Sequence, residues 1–584
     1  MNTTTSNDFF KSNVLGHPAG LFVLFFTEMW ERFSFYGMRI LLVIFLTAAI
    51  GSDNPGFGMA IEEAAAVYGT YAMLLYLTPI LGGLMADKFL GYRWAVVIGA
   101  IIMTLGHAAM AIETHFWVYV GLGLLVIGTG FFKPNMTSIL SEMYKDVPEK
   151  KDGAYTIFYM GVNAGAFFGM MLCGYLGEKI GWAYGFGLAG IFMLLGTLQF
   201  WLAKPLFGTI GEVPQKLAVS TEHTKTDSLD EDTRNPFTLL DKILIGFSSV
   251  IGLGYAINDP MSKIVNLDMF AFANTENLEG QYVMVLMALA SFLFMVISRI
   301  SRYDAVVRDR MIAVIIFAFF TVFFWLSFEQ GASSLVLFAR DSVDRTLVGD
   351  SAMVFKIVNT LLTIIPLLII SYVLFLLGKQ TWKKIPASNI VLIITFAGVW
   401  AVALWMLGRD FMSDNTEIPV SWFSILNSFF IIAFASSVSK WWESKYNPTA
   451  AVKYGLGLII MAGGFGFLAY GAYGIEAGIK VSMVWLILAY LFHTLGELCL
   501  SPVGLSYVSK LVPPRMIAFM FGMWYLAIAI GNKLAAVLGG QIENITNEYS
   551  LSTFFLIFTI VPAVAGLLVM ALNPLLKKLM HGVK

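Results

Sequence analysis

The chain has 584 residues, 58% of them hydrophobic and 13% charged, with a net charge of -1 at pH 7. Soluble domains carry about 25% charged residues, so this chain has too little polar side chain to clothe a surface in water, and lipid must cover the rest. The near-zero charge argues against a nucleic-acid partner. The two cysteines, Cys173 and Cys499, sit in apolar runs, which argues against a disulfide scaffold or a cysteine-held metal.

The first stretch, residues 1–19, is polar and lacks a basic region followed by a short apolar core, so it reads as a tail and not as a cleavable leader. Long apolar runs follow. A span needs roughly 20 apolar residues, and runs of that kind occur at about 20–48, 63–86, 94–112, 117–141, 154–177 and 183–203. A hydrophilic stretch then runs from Leu206 to Asp241, with a part rich in Ser, Thr, Asp and Glu at Ser220 to Asn235. That part lacks the apolar residues to fold alone. Ten more runs come after it, at about 241–257, 280–298, 311–330, 352–377, 389–408, 419–439, 454–473, 483–508, 516–540 and 553–575.

Sixteen spans place most of the 37 Lys and Arg on one side, including Lys88, Arg93, Lys145, Lys150, Lys151, Arg299, Arg302, Lys440 and Lys577. The other side receives Lys179, Lys263, Arg340, Arg345, Arg409 and Lys480. Basic loops stay inside, so both termini are expected to be cytoplasmic. Six spans, a linker and further spans fit an all-α polytopic membrane protein with the two six-helix bundles of the major facilitator fold.

A charge at the bilayer centre costs ~2.5 kcal/mol or more. The first span nevertheless carries Glu28, Glu31, Arg32 and Arg39, and later spans carry Lys133, Glu329, Glu497 and Lys533. Counted from Glu28, the others in the first span lie at offsets 3, 4 and 11, with Phe35 and Tyr36 at 7 and 8. At about 100° per residue these share one helical face. Such a stripe must face a wet cavity or other charged helices, either as a working site or as structural ion pairs. With Lys533 set aside, four acids meet three bases in this set. A carboxylate left without a cation in a low dielectric takes a proton. That proton frees a cation for an anionic substrate group.

These residues sit in recognisable strings. EMWERFSFYG (Glu28 to Gly37), YLTPILGGLMAD (Tyr76 to Asp87), GFFKPN (Gly130 to Asn135), DGAYTIFYMGVNAGA (Asp152 to Ala166), FFWLSFEQ ending at Gln330, VSWFSILNSFFII (Val420 to Ile432), HTLGELCLSPVGLSYVSKLVPPR ending at Arg515 and FGMWYLAIAIGNK ending at Lys533 occur in this order. The chain resembles the proton-dependent oligopeptide transporters of the major facilitator superfamily, in their bacterial form.

The resemblance implies uptake of di- and tripeptides coupled to protons, with no cofactor, no metal and no enzymatic step. Proton coupling would fall to Glu28, Glu31, Arg32, Lys133 and Glu329. Arg39, Lys133 and Tyr36 would hold the peptide carboxylate, and Asn163, Asn427 and Glu497 its amino group. Tyr76, Trp325 and Trp524 would line the pocket, and the pairs Arg39–Glu329 and Lys133–Glu497 would act as gates. The implied partners are peptide, protons and membrane lipid in the inner, cytoplasmic membrane, with oligomerisation left open. Alternatives are a relative carrying another small substrate and, of a different class, a proton-conducting respiratory subunit. Three positions depart from the family pattern. Phe35 stands for a tyrosine, Gly69 for the histidine of animal members and Ile528 for a serine of some bacterial members.

The implied organisation is a tail at 1–19, a first bundle at 20–203, a cytoplasmic linker at 204–240 and an extra helix pair at 241–300. The second bundle opens at 301–351 and continues at 409–576, interrupted by an inserted hairpin at 352–408, and a tail closes the chain at 577–584. The hairpin is expected to face lipid or another copy, with Lys356 snorkelling. Asn359 inside it competes with Asn427 for the amino-binding role, and the flanking residues favour Asn427. His107 and His493, each within a span, are expected to be structural.

Overall fold

The computed structural model describes residues 12–213, 235–413, 416–445, 447–475, 479–512 and 517–583. The linker part 220–234, Lys11, Arg515 and Lys584 lie outside the described residues.

Sixteen long helices account for the expected spans. The first six are α1 (Ala19–Thr47), α2 (Ile61–Met85), α3 (Tyr92–Met110), α4 (His115–Met143), α5 (Lys151–Lys179) and α6 (Trp182–Leu202). Next come α7 (Leu239–Ile264), α8 (Gly280–Ile300), α9 (Ala305–Phe328), α10 (Asp350–Thr381) and α11 (Pro386–Met412). The chain closes with α12 (Val420–Glu443), α13 (Ala450–Gly471), α14 (Met483–Leu511), α15 (Ile517–Gly539) and α16 (Leu551–Ala571). Among the described residues, fifteen stretches are long and apolar enough to cross a membrane. The remaining span, α1, has 29 residues but carries the four charges of the stripe.

Helices α1 to α6 pack on one another, α1 mainly against α5 and α6, and α3 against α4 and α6. Helices α9 and α12 to α16 form the second group, with α13 between α14 and α16. The two groups meet along two seams, α2 against α15 and α5 against α12. Short strand pairs tie the outer loops: Val343 and Asp344 run parallel to Val481 and Ser482, and Thr346 and Leu347 antiparallel to Glu417 and Thr416. We call "inner" the end bearing most of the basic loops.

Local chemistry explains the ends that matter. The loop after α2 closes on Gly91 at φ 73°, where a Cβ would meet Val213 N at 2.6 Å, so only glycine fits. Helix α7 starts on a capping box, in which Thr238 Oγ1 accepts from Asp241 N at 3.1 Å and Asp241 Oδ2 accepts from Thr238 N at 2.9 Å. Asp241 also takes two hydrogen bonds from Arg302, each of 2.9 Å.

Both extra helix pairs dock on the first bundle, α7 on α2 and α11 on α6. The hairpin α10–α11, expected to face lipid or another copy, buries one face of α11 on the first bundle and leaves much of its remaining surface exposed. Ser388, Leu392, Phe396, Val399, Ala403 and Met406 recur at helical spacing on α11 and are all buried, while Ile390, Ile393, Ile394 and Leu404 are exposed. Phe396 meets Trp30 edge-on at 5.3 Å between ring centres, and Ser388 Oγ donates to the Gln199 carbonyl at 2.8 Å. Lys356 is buried too, donating to the Ser413 carbonyl at 2.7 Å. A stripe of this kind covers helix surface that would otherwise meet lipid.

Candidate functional site

The charged stripe of α1 is held within the protein. Arg32 Nε donates to Glu28 Oε1 at 2.8 Å and lies 3.1 Å from Glu31 Oε2. One guanidinium thus serves two carboxylates. Glu31 is fully buried, and neither of its oxygens accepts a hydrogen bond. Two turns further out, Arg39 pairs with Glu329, in the turn Glu329–Ala332 that follows α9. Tyr68 of α2 completes this knot, accepting from Arg39 Nε at 2.8 Å and donating to Glu329 Oε2 at 2.9 Å. The Arg39 guanidinium also lies 5.7 Å from the Tyr36 ring centre and 5.8 Å from that of Phe35.

Lys133 owes its position to Pro134. A proline inside a helix removes one backbone hydrogen bond and here leaves the Gly130 carbonyl free, against which Gly82 of α2 packs so closely that a Cβ would lie 2.0 Å away. Asn135 Nδ2 donates to the next carbonyl, that of Phe131, at 2.6 Å. The Lys133 ammonium lies 4.5 Å from the Tyr76 ring centre, within cation–π range. Among the described residues it has no hydrogen bond or ion pair to a carboxylate. Tyr76 continues to Trp325 at 6.2 Å and Tyr525 at 6.4 Å, so one aromatic row links the two bundles.

Glu497 of α14 stands across from this row. Its Oε2 accepts from Asn427 Nδ2 of α12 at 3.0 Å, and the same amide reaches Thr494 Oγ1 at 3.1 Å. No cation pairs with Glu497 among the described residues. The expected gate pair Lys133–Glu497 is therefore not formed in this structure, whereas Arg39–Glu329 is. The groups still share one region. Tyr36 lies in the field of Arg32, Arg39, Glu329 and Glu497, and Lys133 in that of Glu28, Glu31, Arg32 and Arg39.

Asn163 is 7% exposed, and its Nδ2 donates to the Tyr159 carbonyl of its own helix at 3.0 Å. Trp524 is 3% exposed and packs over Gly504 and edge-on to Tyr454. Its neighbour Tyr525 takes the position beside Tyr76. Asn359 accepts from Trp422 Nε1 at 3.2 Å, away from Glu497.

Four residues escaped the sequence reading. Tyr68 shares α2 with Tyr76, but nothing in the sequence tells its hydroxyl apart from that of Tyr71. Tyr159 is 54% exposed and lies in the field of Glu497 and Tyr36. Tyr525 was overshadowed by its tryptophan neighbour. Asp259 pairs with Lys533 inside the protein, and α7 extends past the expected end at 257 to include it. Lys533 also donates to Thr70 Oγ1 at 3.0 Å, and Asp259 lies 3.2 Å from Lys263.

The seams are closed at the outer end. Ala536 and Lys533 of α15 crowd Gly69 of α2, and Ser421 of α12 sits on Gly174 of α5. Towards the inner end, Leu81 and Leu84 of α2 and Tyr159 and Met160 of α5 are exposed. We refer to the region between the bundles around Tyr36, Tyr76 and Glu497 as the cleft.

A family model described as "POT family" matches residues 93–373 and 400–556. The gap between its two segments falls within the hairpin. The peptide transporter YePEPT of Yersinia enterocolitica is 30% identical over 538 residues, covering 90% of this chain and 88% of its own. A di-/tripeptide transporter of Lactococcus lactis is 26% identical, covering 98% and 99%. Among solved structures, the crystal structure of a peptide transporter POT in complex with sulfate superposes with a TM-score of 0.70 at 27% identity, covering 99% of this chain and all of that one. Sixteen spans, twelve of them in two bundles, and a family match over most of the length lead to one assignment: the chain is a multi-pass membrane protein that belongs to the POT family.

Proposed function

We propose that the protein takes up di- and tripeptides across the cytoplasmic membrane, driven by protons, through alternating access of the two bundles. One observation carries this reading: among the described residues, Lys133 pairs with no carboxylate and Glu497 with no cation. A zwitterionic peptide supplies what each lacks. Its carboxylate meets Lys133, with Arg39 and Tyr36 close by, and its ammonium meets Glu497, with Asn427 and Asn163 beside it. Tyr76, Trp325 and the newly found Tyr159 and Tyr525 offer aromatic walls against which side chains of different size can pack. The names of the Yersinia and Lactococcus relatives support the substrate class.

The proton enters through shared charge. Arg32 neutralises at most one of Glu28 and Glu31, so a proton on the other completes the balance. Movement of that proton changes the field at Lys133 and hence its hold on the carboxylate. Release of Arg39 from Glu329 would be needed for the outer end to open. Proteoliposomes given labelled dialanine and an inward proton gradient should accumulate it, and an uncoupler should abolish the accumulation. Equilibration without accumulation would remove the coupling, and no entry of dialanine at all would remove the substrate class.

A further inference from the structure

The outer half of the α5–α12 seam contains an arrangement that the substrate site does not use. Helix α12 begins directly after Pro419, which has no side-chain group to cap the first free amides of the helix. Those amides are satisfied from the other bundle. Glu178, near the end of α5, accepts from Val420 N at 2.7 Å through one oxygen and from Ser421 N at 2.8 Å through the other. A carboxylate at a helix N-terminus is also favoured by the helix dipole. One turn earlier on the same face, Gly174 leaves the space that Ser421 fills; a Cβ there would lie 2.1 Å from Ser421 Oγ.

We infer that Glu178 is a positioning residue for transport, a cap supplied across the bundles that forms only while the outer end is closed. The inference rests on the alternating-access reading. When the bundles part at this end, Val420 and Ser421 leave Glu178 and their amides must turn to water. The cap therefore adds weight to the inward-open side of the equilibrium without touching peptide or proton. Gly174 sets how near the two helices come. A side chain at 174 would act as a wedge even with the carboxylate intact.

The test is a distance measurement in nanodiscs without peptide. Spin labels go on Ile112→Cys in the outer loop after α3 and Tyr473→Cys in the outer loop after α13, both exposed. The native Cys173 and Cys499 are buried. The unmodified seam should give mainly the short distance. Glu178→Ala should raise the ratio of long to short about tenfold, the size of one charge-assisted hydrogen bond, and Glu178→Asp should restore part of the short population. Gly174→Ala should shift the ratio the same way. Unchanged distances in Glu178→Ala and Gly174→Ala, each checked for intact folding by its melting curve, would overturn the inference. This readout needs no peptide, so a failure of the substrate assignment leaves it standing and a failure here leaves the substrate assignment standing.

Discussion

Two of the places that bury charge in the span region do so in opposite ways. At the crossing of α7 and α15, Lys533 pairs with Asp259, and Lys263 lies 3.2 Å from the same carboxylate and 3.5 Å from Glu62. Each charge there has its complement. In the cleft, Arg32 is shared by Glu28 and Glu31, Lys133 leans on a tyrosine ring, and Glu497 has only an amide. Burial of charge alone therefore does not mark a working site. Under the proposed function the distinguishing feature is incomplete pairing: a charge whose partner is missing can take that partner from a substrate or a proton.

The comparison breaks most sharply at Lys133. Lys133→Ala should abolish gradient-driven dialanine accumulation, and Glu28→Gln should do the same, both measured in proteoliposomes with matched protein amounts. Accumulation left intact by either change would put the cleft in the same class as the α7–α15 crossing. The crossing should answer differently. Asp259→Ala leaves a buried cation unpaired and should cost about 3–5 kcal/mol of stability, read as a lower melting temperature. The double change Asp259→Leu with Lys533→Met should recover most of it and keep proton-coupled uptake. If the double variant folds but loses coupling, the crossing belongs to the mechanism after all.

How far the sequence could foresee this contrast differs by residue. The spans were legible because a long apolar run in so uncharged a chain has few other uses, and the stripe on α1 because four charges in one span obey helical spacing. Lys533 could not be judged, since its partner lies more than 270 positions away on a helix that outran its apolar run. Asp259 looked like a loop residue for that reason. Trp524 and Tyr525 are neighbours, and which of them faces the cleft depends on Gly504 and Tyr454, a packing detail that no single-strand pattern carries. The structure forms Arg39–Glu329 and leaves Lys133 and Glu497 unpaired with each other, a distinction that the residue types alone do not carry. The hairpin's buried face was present in the spacing of Ser388, Leu392, Phe396, Val399 and Ala403, but the apolar residues between them masked the stripe.

A smaller effect sharpens the role of the acid across the cleft. Glu497→Gln keeps the hydrogen bond to Asn427 within reach but removes the charge. Peptides with a free amino group should lose roughly tenfold in apparent affinity, in line with the worth of a charge-assisted hydrogen bond. N-acetylated peptides should compete almost as before. Equal losses for both would detach Glu497 from the amino group, whatever its part in the proton step.

The smallest effect comes from the same kind of pairing set in water. Glu417 lies in an outer loop, with Arg345 at 2.8 Å and Lys179 at 3.1 Å. Partial burial works against its charge, but the two cations outweigh it and hold the carboxyl below its ordinary value. A carboxyl depressed on folding contributes stability that is present above its unfolded value and is lost as pH falls through the folded one. The side chain is 49% exposed, so solvent screening limits the contribution to at most about 1 kcal/mol. Glu417→Gln should therefore melt slightly below the parent at pH 7, and the gap should close as pH drops below the ordinary carboxylate range. High salt should narrow it as well. A gap that stays constant through acid pH would mean that the glutamate acts there by its shape, through the strand pairing of Thr416 and Glu417, and that its charge pairing adds nothing in water.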